Sequence, residues 1–285
     1  MIGKAYCYGA ATIVNAIATG KGAAFGIGLK TEASVELTHE PGYFEVMINN
    51  DAGEDTALAE QCVKKVLEKY DLQDQYGAEI TTNSDIPISR GLKSSSTAAN
   101  AIVLATLKVL SKKCGDIEAI NLGVDAALEA GVTVTGAFDD ATASYFGCAV
   151  VTDNVKRKIL SKYHISDEYV VVIHVPREKI RKYNLPLNRI NKIKNIIEPV
   201  HKMAAKKDVK NAVLFNGLAY SKALGLDLTP TVKAMNAGAF TAGLSGTGPA
   251  TAILAEKDKV GDILDAISDY DSDIIITRIN KRKAK

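Results

Sequence analysis

The sequence predicts an α+β fold in two domains, and three observations carry that expectation. At 285 residues the chain is long enough for two domains, or one large one, at about 100–200 residues each. Its N-terminal part opens with segments whose composition and alternation suit strands, and from Asp55 the apolar period changes to that of a helix. Beyond a charged stretch at 153–161, which reads as the seam between halves, a second set of strand-type and helix-type segments follows.

Composition narrows the classes. With 47% hydrophobic and 24% charged residues the chain is an ordinary globular protein, which excludes disorder and fibres. A net charge of +2 is too small to draw the whole chain to nucleic acid or to a membrane. The four cysteines, Cys7, Cys62, Cys114 and Cys148, form no C-x-x-C pair. They read as small buried hydrophobes in a reducing compartment, so a cytoplasmic location is expected. No run approaches the roughly 18 apolar residues that cross a bilayer. The stretch after Lys4, with Ala16-Ile17-Ala18 as an A-x-A pattern, imitates a secretory leader, but Gly9, Thr12 and Asn15 interrupt it.

Taken in order, strands are expected at 4–14, 23–29, 32–38 and 43–49, with turns at Gly42 and Asn49-Asn50. From Asp55, Leu58, Cys62, Val63, Val66, Leu67 and Tyr70 fall on one helical face. A strand at 78–82 leads into the loop Asp85 to Ser96, and a helix over 97–113 follows. The next helix, 116–130, stops at Gly131. After the turn Thr135-Gly-Ala-Phe-Asp-Asp140, residues 144–152 read as strand, and 169–175 as a fully buried one. Helices are expected at 211–224, from the cap pair Thr229-Pro230, and at 257–267; strands at 250–255 and 273–279. A basic tail, 281–285, ends the chain, and no internal repeat is present.

One loop carries the strongest chemical signal. Pro87-Ile-Ser-Arg-Gly-Leu-Lys-Ser-Ser-Ser-Thr97 combines a glycine that lets backbone approach a ligand, serine hydroxyls, and the free N–H groups of the following helix. These are the parts of a phosphate cradle, though the Walker A spacing is absent. The competing reading is a Ser/Thr cap on a core helix.

The run Pro87-x-x-x-Gly91-Leu-x-Ser94-Ser95 resembles the second motif of the GHMP small-molecule kinases, and two further runs resemble its partners in the right order. Thr135-Gly-Ala-Phe-Asp139-Asp140 is similar to the loop that carries their catalytic aspartate. Gly243-Leu-Ser-Gly-Thr-Gly-Pro249 is similar to the glycine-rich turn that buttresses their phosphate loop. With the N-terminal run Gly9 to Gly26, the likeness over nearly the whole chain is to the archaeal type of shikimate kinase. The resemblance implies a two-domain GHMP kinase fold: residues 1–155 an ATP-binding domain like the second domain of ribosomal protein S5, and 156–285 a ferredoxin-like α/β sandwich. It implies ATP and Mg2+ as cofactors and shikimate as the small-molecule substrate phosphorylated on its 3-hydroxyl. Neither nucleic acid nor membrane is an expected partner, and the oligomeric state is unreadable. Homoserine kinase, or a non-catalytic sensor of ATP and a metabolite on the same fold, are the alternatives.

Residue by residue, the resemblance assigns nucleotide binding to Ile86, Pro87, Ile88, Ser89, Arg90, Gly91, Leu92, Lys93, Ser94, Ser95 and Ser96, with Gly246, Thr247 and Gly248. Lys93 departs from the family, where glycine is usual. If its backbone keeps φ > 0 the strain is about 1 kcal/mol, and its amine either neutralises the triphosphate or points to solvent. Asp139 and Lys93 are the catalytic candidates, Lys93 by neutralising charge and Asp139 as base or as holder of the substrate hydroxyl, against an ordinary helix cap. Ser95 and Glu129, ten residues before Asp139, are the metal candidates. For substrate the candidates are Asn15, Lys21, Asp139, Arg181 and Arg189. The two arginines come from a segment, 177–210, with eleven Lys and Arg against three acids. That segment is either a solvated face or a partner for carboxylate and nucleotide. No aromatic interleaving accompanies it, which argues against nucleic acid.

Overall fold

The stretch that imitates a leader is apolar because it is a buried strand. In the computed structural model, which describes residues 1–49, 55–177 and 185–285, β1 (Ile2–Val14) pairs antiparallel with β2 (Lys21–Thr38). Ala10, Ala11, Thr12, Ile13 and Val14 are all buried. The sequence reads 23–29 and 32–38 as two strands, yet β2 is continuous over 18 residues. Its first four residues pair with β5 (Ala149–Asp153) and its second half with β4 (Gly77–Ser84), while β1 pairs along its other edge and carries it through Lys30, opposite Tyr8. β3 (Phe44–Ile48) lies parallel to β4, and β6 (Lys158–Tyr163) antiparallel to β5. The order is β3-β4-β2-β5-β6, with β1 attached to β2.

Four helices cover this sheet: α1 (Ala57–Lys69), α2 (Ser94–Val109), α3 (Asp116–Glu129) and α4 (Phe138–Phe146). The α1 face is the expected one, Leu58, Cys62, Val63, Val66 and Leu67 being buried. α2 touches β1, β2, α1, α3 and α4, and alanines at 99, 101 and 105 suit so enclosed a position. It starts three residues before the expected Thr97, because the left-handed backbone at Lys93 opens the helix at Ser94. The expected strand from Ser144 is wrong in its first half. Residues to Phe146 stay helical, held by Thr142 Oγ1 donating to the Phe138 carbonyl, until Gly147 turns left-handed and releases β5. The charged stretch 153–161 is the turn and return strand of the β5–β6 hairpin, so this sheet runs to Tyr163.

The second sheet is built from β7 (Tyr169–Pro176), β8 (Thr241–Leu244), β9 (Thr251–Glu256) and β10 (Ser272–Arg278). All pairs are antiparallel in the order β10-β7-β9-β8, the 4-1-3-2 arrangement of a ferredoxin-like unit. Alternate residues of β7 split its two faces. Val171, Ile173 and Val175 meet α5 (Leu187–Lys192), α6 (Lys194–Ala205) and α7 (Val209–Leu224). Val172 meets α8 (Thr229–Asn236) and α9 (Val260–Ala266). Thr229 is the first residue of α8 and not its N-cap, a position held by Leu228, and Asp227 Oδ1 accepts the Thr229 N–H at 2.9 Å.

The α5–α7 core is continuous with Ile13, Phe25 and Ile27 of the first sheet, which packs the two sheets together through one helical layer. In the basic segment, Lys192, Lys194, Lys202, Lys206, Lys207 and Lys210 point to solvent. The cysteines are free thiols, three of them buried. Among the described residues no helix is long and apolar enough to cross a membrane.

Tyr220 of α7 is fully buried at the junction of the two sheets. Its hydroxyl takes the Ala18 N–H at 2.9 Å and donates to the Asn15 carbonyl at 3.0 Å, fixing the turn between β1 and β2. Tyr220→Phe strands a buried N–H, so unfolding in urea is expected to show a loss of about 2 kcal/mol; an unchanged midpoint would mean that this junction does not depend on the hydroxyl.

Candidate active site

The phosphate loop is shaped by three residues with left-handed backbone, Ser89, Gly91 and Lys93. Lys93, at φ 66° and ψ 29°, is the N-cap of α2, so the strain foreseen for it is present. The N–H groups of Ser94, Ser95 and Ser96 then precede the first possible intrahelical acceptor and open on a cleft. Thr97 closes the first turn, its N–H and Oγ1 both donating to the Lys93 carbonyl at 3.0 and 2.9 Å. Gly91 has φ 86°, and a Cβ there would lie 2.0 Å from the Ser245 carbonyl oxygen.

That close approach joins the two glycine-rich turns. Ser245 Oγ donates to the Gly91 carbonyl at 2.7 Å, and the Ala250 N–H donates to the Arg90 carbonyl at 3.1 Å. β1 completes the joint. Thr12 Oγ1 accepts the Gly246 N–H at 2.7 Å, and the Thr12 N–H donates to Ser245 Oγ at 3.2 Å. Asn15 Nδ2 donates to the Gly246 carbonyl at 2.8 Å, while its backbone N–H is held by Asn216 of α7.

Opposite the loop stands the acidic pair at the start of α4. Adjacent residues on a helix diverge, and these two do. Asp139 turns inward and is 4% exposed, with Asn154 Nδ2 donating to its Oδ1 at 2.7 Å. Asp140 forms an ion pair with Lys93 Nζ at 2.9 Å, bridging the phosphate loop and α4. Burial, and then the Asp140 charge, push the Asp139 carboxyl up to about 7, against the pull of Lys93 and of the Asn154 donor.

The cleft between these walls has a volume of about 450 Å³. It brings together Asn15, Ile88, Ser89, Gly91, Lys93, Ser94, Ser95, Ser96, Asp139, Gly246, Thr247 and Gly248 from the candidates. Asp140 and Thr135, which the sequence placed in a motif without a role of their own, line it as well, as do Thr31, Thr82, Ser84, Asp55 and residues 131–134. Ile86 and Leu92 are buried beneath the loop instead, as its core anchors. Pro87 and Arg90 lie outside the lining; the Arg90 guanidinium donates to the Arg177 carbonyl.

Glu129 does not reach the cleft wall. Its carboxylate is taken by Lys65 of α1 at 2.6 Å, and the side chain is 49% exposed. Lys21 and Arg189 are exposed and do not line the cleft, and Arg181 lies outside the described residues. Sequence reasoning also missed Thr12, Asn154, Asn216 and Tyr220, which touch the site only through long-range contacts. No group of three or more His, Cys, Asp or Glu placed to hold a metal occurs among the described residues.

Comparison with known proteins agrees with this geometry. Residues 57–148, which hold the phosphate loop and the acidic pair, match the family model described as GHMP kinases N terminal domain. The shikimate kinase of Methanothrix thermoacetophila is 44% identical over 100% of this chain and 96% of its own length. Those of Methanosarcina acetivorans and Methanobrevibacter smithii are 41% and 38% identical, over 99% and 95% of this chain and 95% and 94% of theirs. Among solved structures, Methanococcus jannaschii mevalonate kinase superposes with TM-score 0.73 at 19% identity, covering 98% of both chains. Lactococcus lactis galactokinase, complexed with galactose, gives 0.76 at 13%, covering 100% of this chain and 95% of its own. At such identities the structural likeness concerns the fold.

The raised Asp139 carboxyl has a consequence for stability. Between about pH 4, where an unfolded aspartate ionises, and about 7, the folded chain keeps a proton that the unfolded chain has released. Stability therefore falls as pH rises through that window. Asp139→Asn removes the effect, and thermal melts are expected to show a variant more stable than the wild type by about 4 kcal/mol at pH 8 and equal to it at pH 4. A variant less stable at pH 8 would contradict the assigned burial and charge.

Proposed function

This chain belongs to the GHMP kinases and, within them, to the archaeal shikimate kinases, and we propose that it transfers the γ-phosphoryl group of ATP to the 3-hydroxyl of shikimate. The single observation that carries the reading is the facing of two parts across one cleft. A helix N-terminus with three free amides and a lysine stands opposite a buried carboxylate. The first suits a polyphosphate and the second an alcohol.

In this reading the triphosphate lies against the N–H groups of Ser94, Ser95 and Ser96 and draws the Lys93 ammonium from Asp140. The substrate hydroxyl sits on Asp139. Its oxygen forms the new bond to the γ-phosphorus as the bond to the β,γ-bridging oxygen breaks, ADP leaves, and the hydroxyl proton passes to the carboxylate. A group that ionises near neutrality is well matched to that task. Asn15 is the N-terminal residue placed to meet the acceptor, being in the cleft with its amide anchored on Gly246. Nucleotide contacts belong mainly to the N-terminal part, taken as residues 1–155, and the part from 156 supplies the buttressing turn.

Magnesium prefers one or two carboxylate or hydroxyl oxygens plus phosphate oxygens, and the cleft offers such a set. Ser95 and Asp140 both line it, and the Asp140 carboxylate, paired with Lys93 at 2.9 Å, comes free when the triphosphate draws that ammonium away. These two would hold the ion, which neutralises phosphate charge when bound; Glu129, occupied by Lys65, is the poorer candidate. The chain is proposed to work in the cytosol.

ADP release with ATP and Mg2+ is the direct test, in separate wells with shikimate, homoserine, mevalonate and no acceptor. Turnover is expected with shikimate alone, with Glu129→Gln inside twofold of wild type and Asp140→Asn raising the Mg2+ requirement at least tenfold. Turnover with homoserine or mevalonate would keep the fold and discard the substrate, and silence in every well would favour a non-catalytic sensor.

A further inference from the structure

Asn154, in the turn after β5, meets Asp139 twice. Its Nδ2 donates to Asp139 Oδ1 at 2.7 Å, and its Oδ1 accepts the Asp139 backbone N–H at 3.2 Å. Thr152 Oγ1 donates to that same Asn154 Oδ1 at 2.7 Å and lies 3.2 Å from the Gly22 carbonyl. Two donors on one oxygen fix the amide's orientation, since the flipped form would set N–H against N–H. All three side chains are buried. On its other side the Asp139 carboxylate presses on β2: a Cβ at Gly22 would come within 2.2 Å of Oδ2. One carboxylate oxygen is thus committed to Asn154, and the other lies beside the Gly22 backbone.

We propose that Asn154 is a positioning residue for the phosphoryl transfer, holding Asp139 by Oδ1 so that Oδ2 is the atom that receives the acceptor hydroxyl. The inference rests on the reading of Asp139 as the partner of that hydroxyl. Asn154 favours the ionised carboxylate by donating to it, in a place where burial and Asp140 favour the neutral form. The other charged or titratable groups around Asp139 are Lys93 on the phosphate loop and Tyr220 on α7. His201 of α6 stands one layer behind, its Nε2 3.2 Å from the Thr152 carbonyl, and does not touch the carboxylate.

Asn154→Leu keeps much of the side chain's volume and removes the donor; Asn154→Ala is the second variant should leucine not pack. With ATP and shikimate, kcat is expected to fall about tenfold while KM for ATP stays within twofold, and the same substitution made in Asp139→Asn should cost no further residual activity. A loss of equal size in that background, a loss carried by KM instead, or no loss at all, would overturn the assignment. Thermal melts without substrate give an arm independent of the proposed reaction. Asn154→Leu and Asp139→Asn should be non-additive in stability, the double variant departing from the sum of the two. If wild type does not act on shikimate, the kinetic arm fails with the functional reading. The melts still decide whether Asn154 governs Asp139, and additive effects would refute it.

Discussion

The architecture of the site depends on one contact, the Ser245 hydroxyl donating to the Gly91 carbonyl, made possible because Gly91 has no Cβ. The turn between β8 and β9 belongs to the second sheet and the phosphate loop to the first. Where they touch, the loop cannot relax away from the helix N-terminus that it feeds. Thr12 and Asn15 of the first sheet clasp the same turn from the other side. The ferredoxin-like unit therefore acts on the proposed nucleotide site by fixing backbone, and the packing of α7 under Asn15 and Ala18 belongs to the same device. A cleft assembled from turns of two sheets can keep its geometry only if their relative position is fixed, which the shared helical layer provides.

Against this rigid wall the structure sets an electrostatic tension. Asp139 is buried beside Asp140, an arrangement that opposes ionisation, and Lys93 answers by pairing with Asp140. Lys93 also carries the strain of a left-handed backbone, about 1 kcal/mol for a residue with a Cβ. What that strain secures is visible in the site: an ammonium within the phosphate loop, 8% exposed, linking the loop to the helix of the acidic pair. A glycine would remove the strain together with the charge. The buried acid costs stability at neutral pH and is retained, the exchange expected where a group is kept for chemistry rather than folding.

Much of the site was legible in the sequence because its parts are local. Gly91, the three serines and the helix start fall within a few residues, and Asp139 sits in a short run after a turn. The parts that were illegible are set by distance. Asn154 finds Asp139 only because α4 and the β5–β6 turn meet in space, and Ser245 finds Gly91 across 154 residues. Glu129 has a spacing that suits a metal ligand, yet a lysine on α1, out of sight in a linear reading, takes its carboxylate. Lys21 and Arg189 are cations near conspicuous motifs whose side chains the fold turns to solvent. For the fold, helical faces were clear from their period, while β6, alternating lysines with apolar residues, looked like a charged linker. Ser144 to Phe146 looked like strand because β propensity yields to the packing of α4.

The central claim is that the two glycine-rich turns must touch for nucleotide to be held. Calorimetric titration of Gly91→Ala with a non-hydrolysable ATP analogue, alongside a melt to show that the variant is folded, tests it most directly. The added methyl must displace the Ser245 carbonyl, and affinity is expected to fall at least tenfold while the fold persists. A folded Gly91→Ala protein that binds the analogue as tightly as wild type would contradict the account.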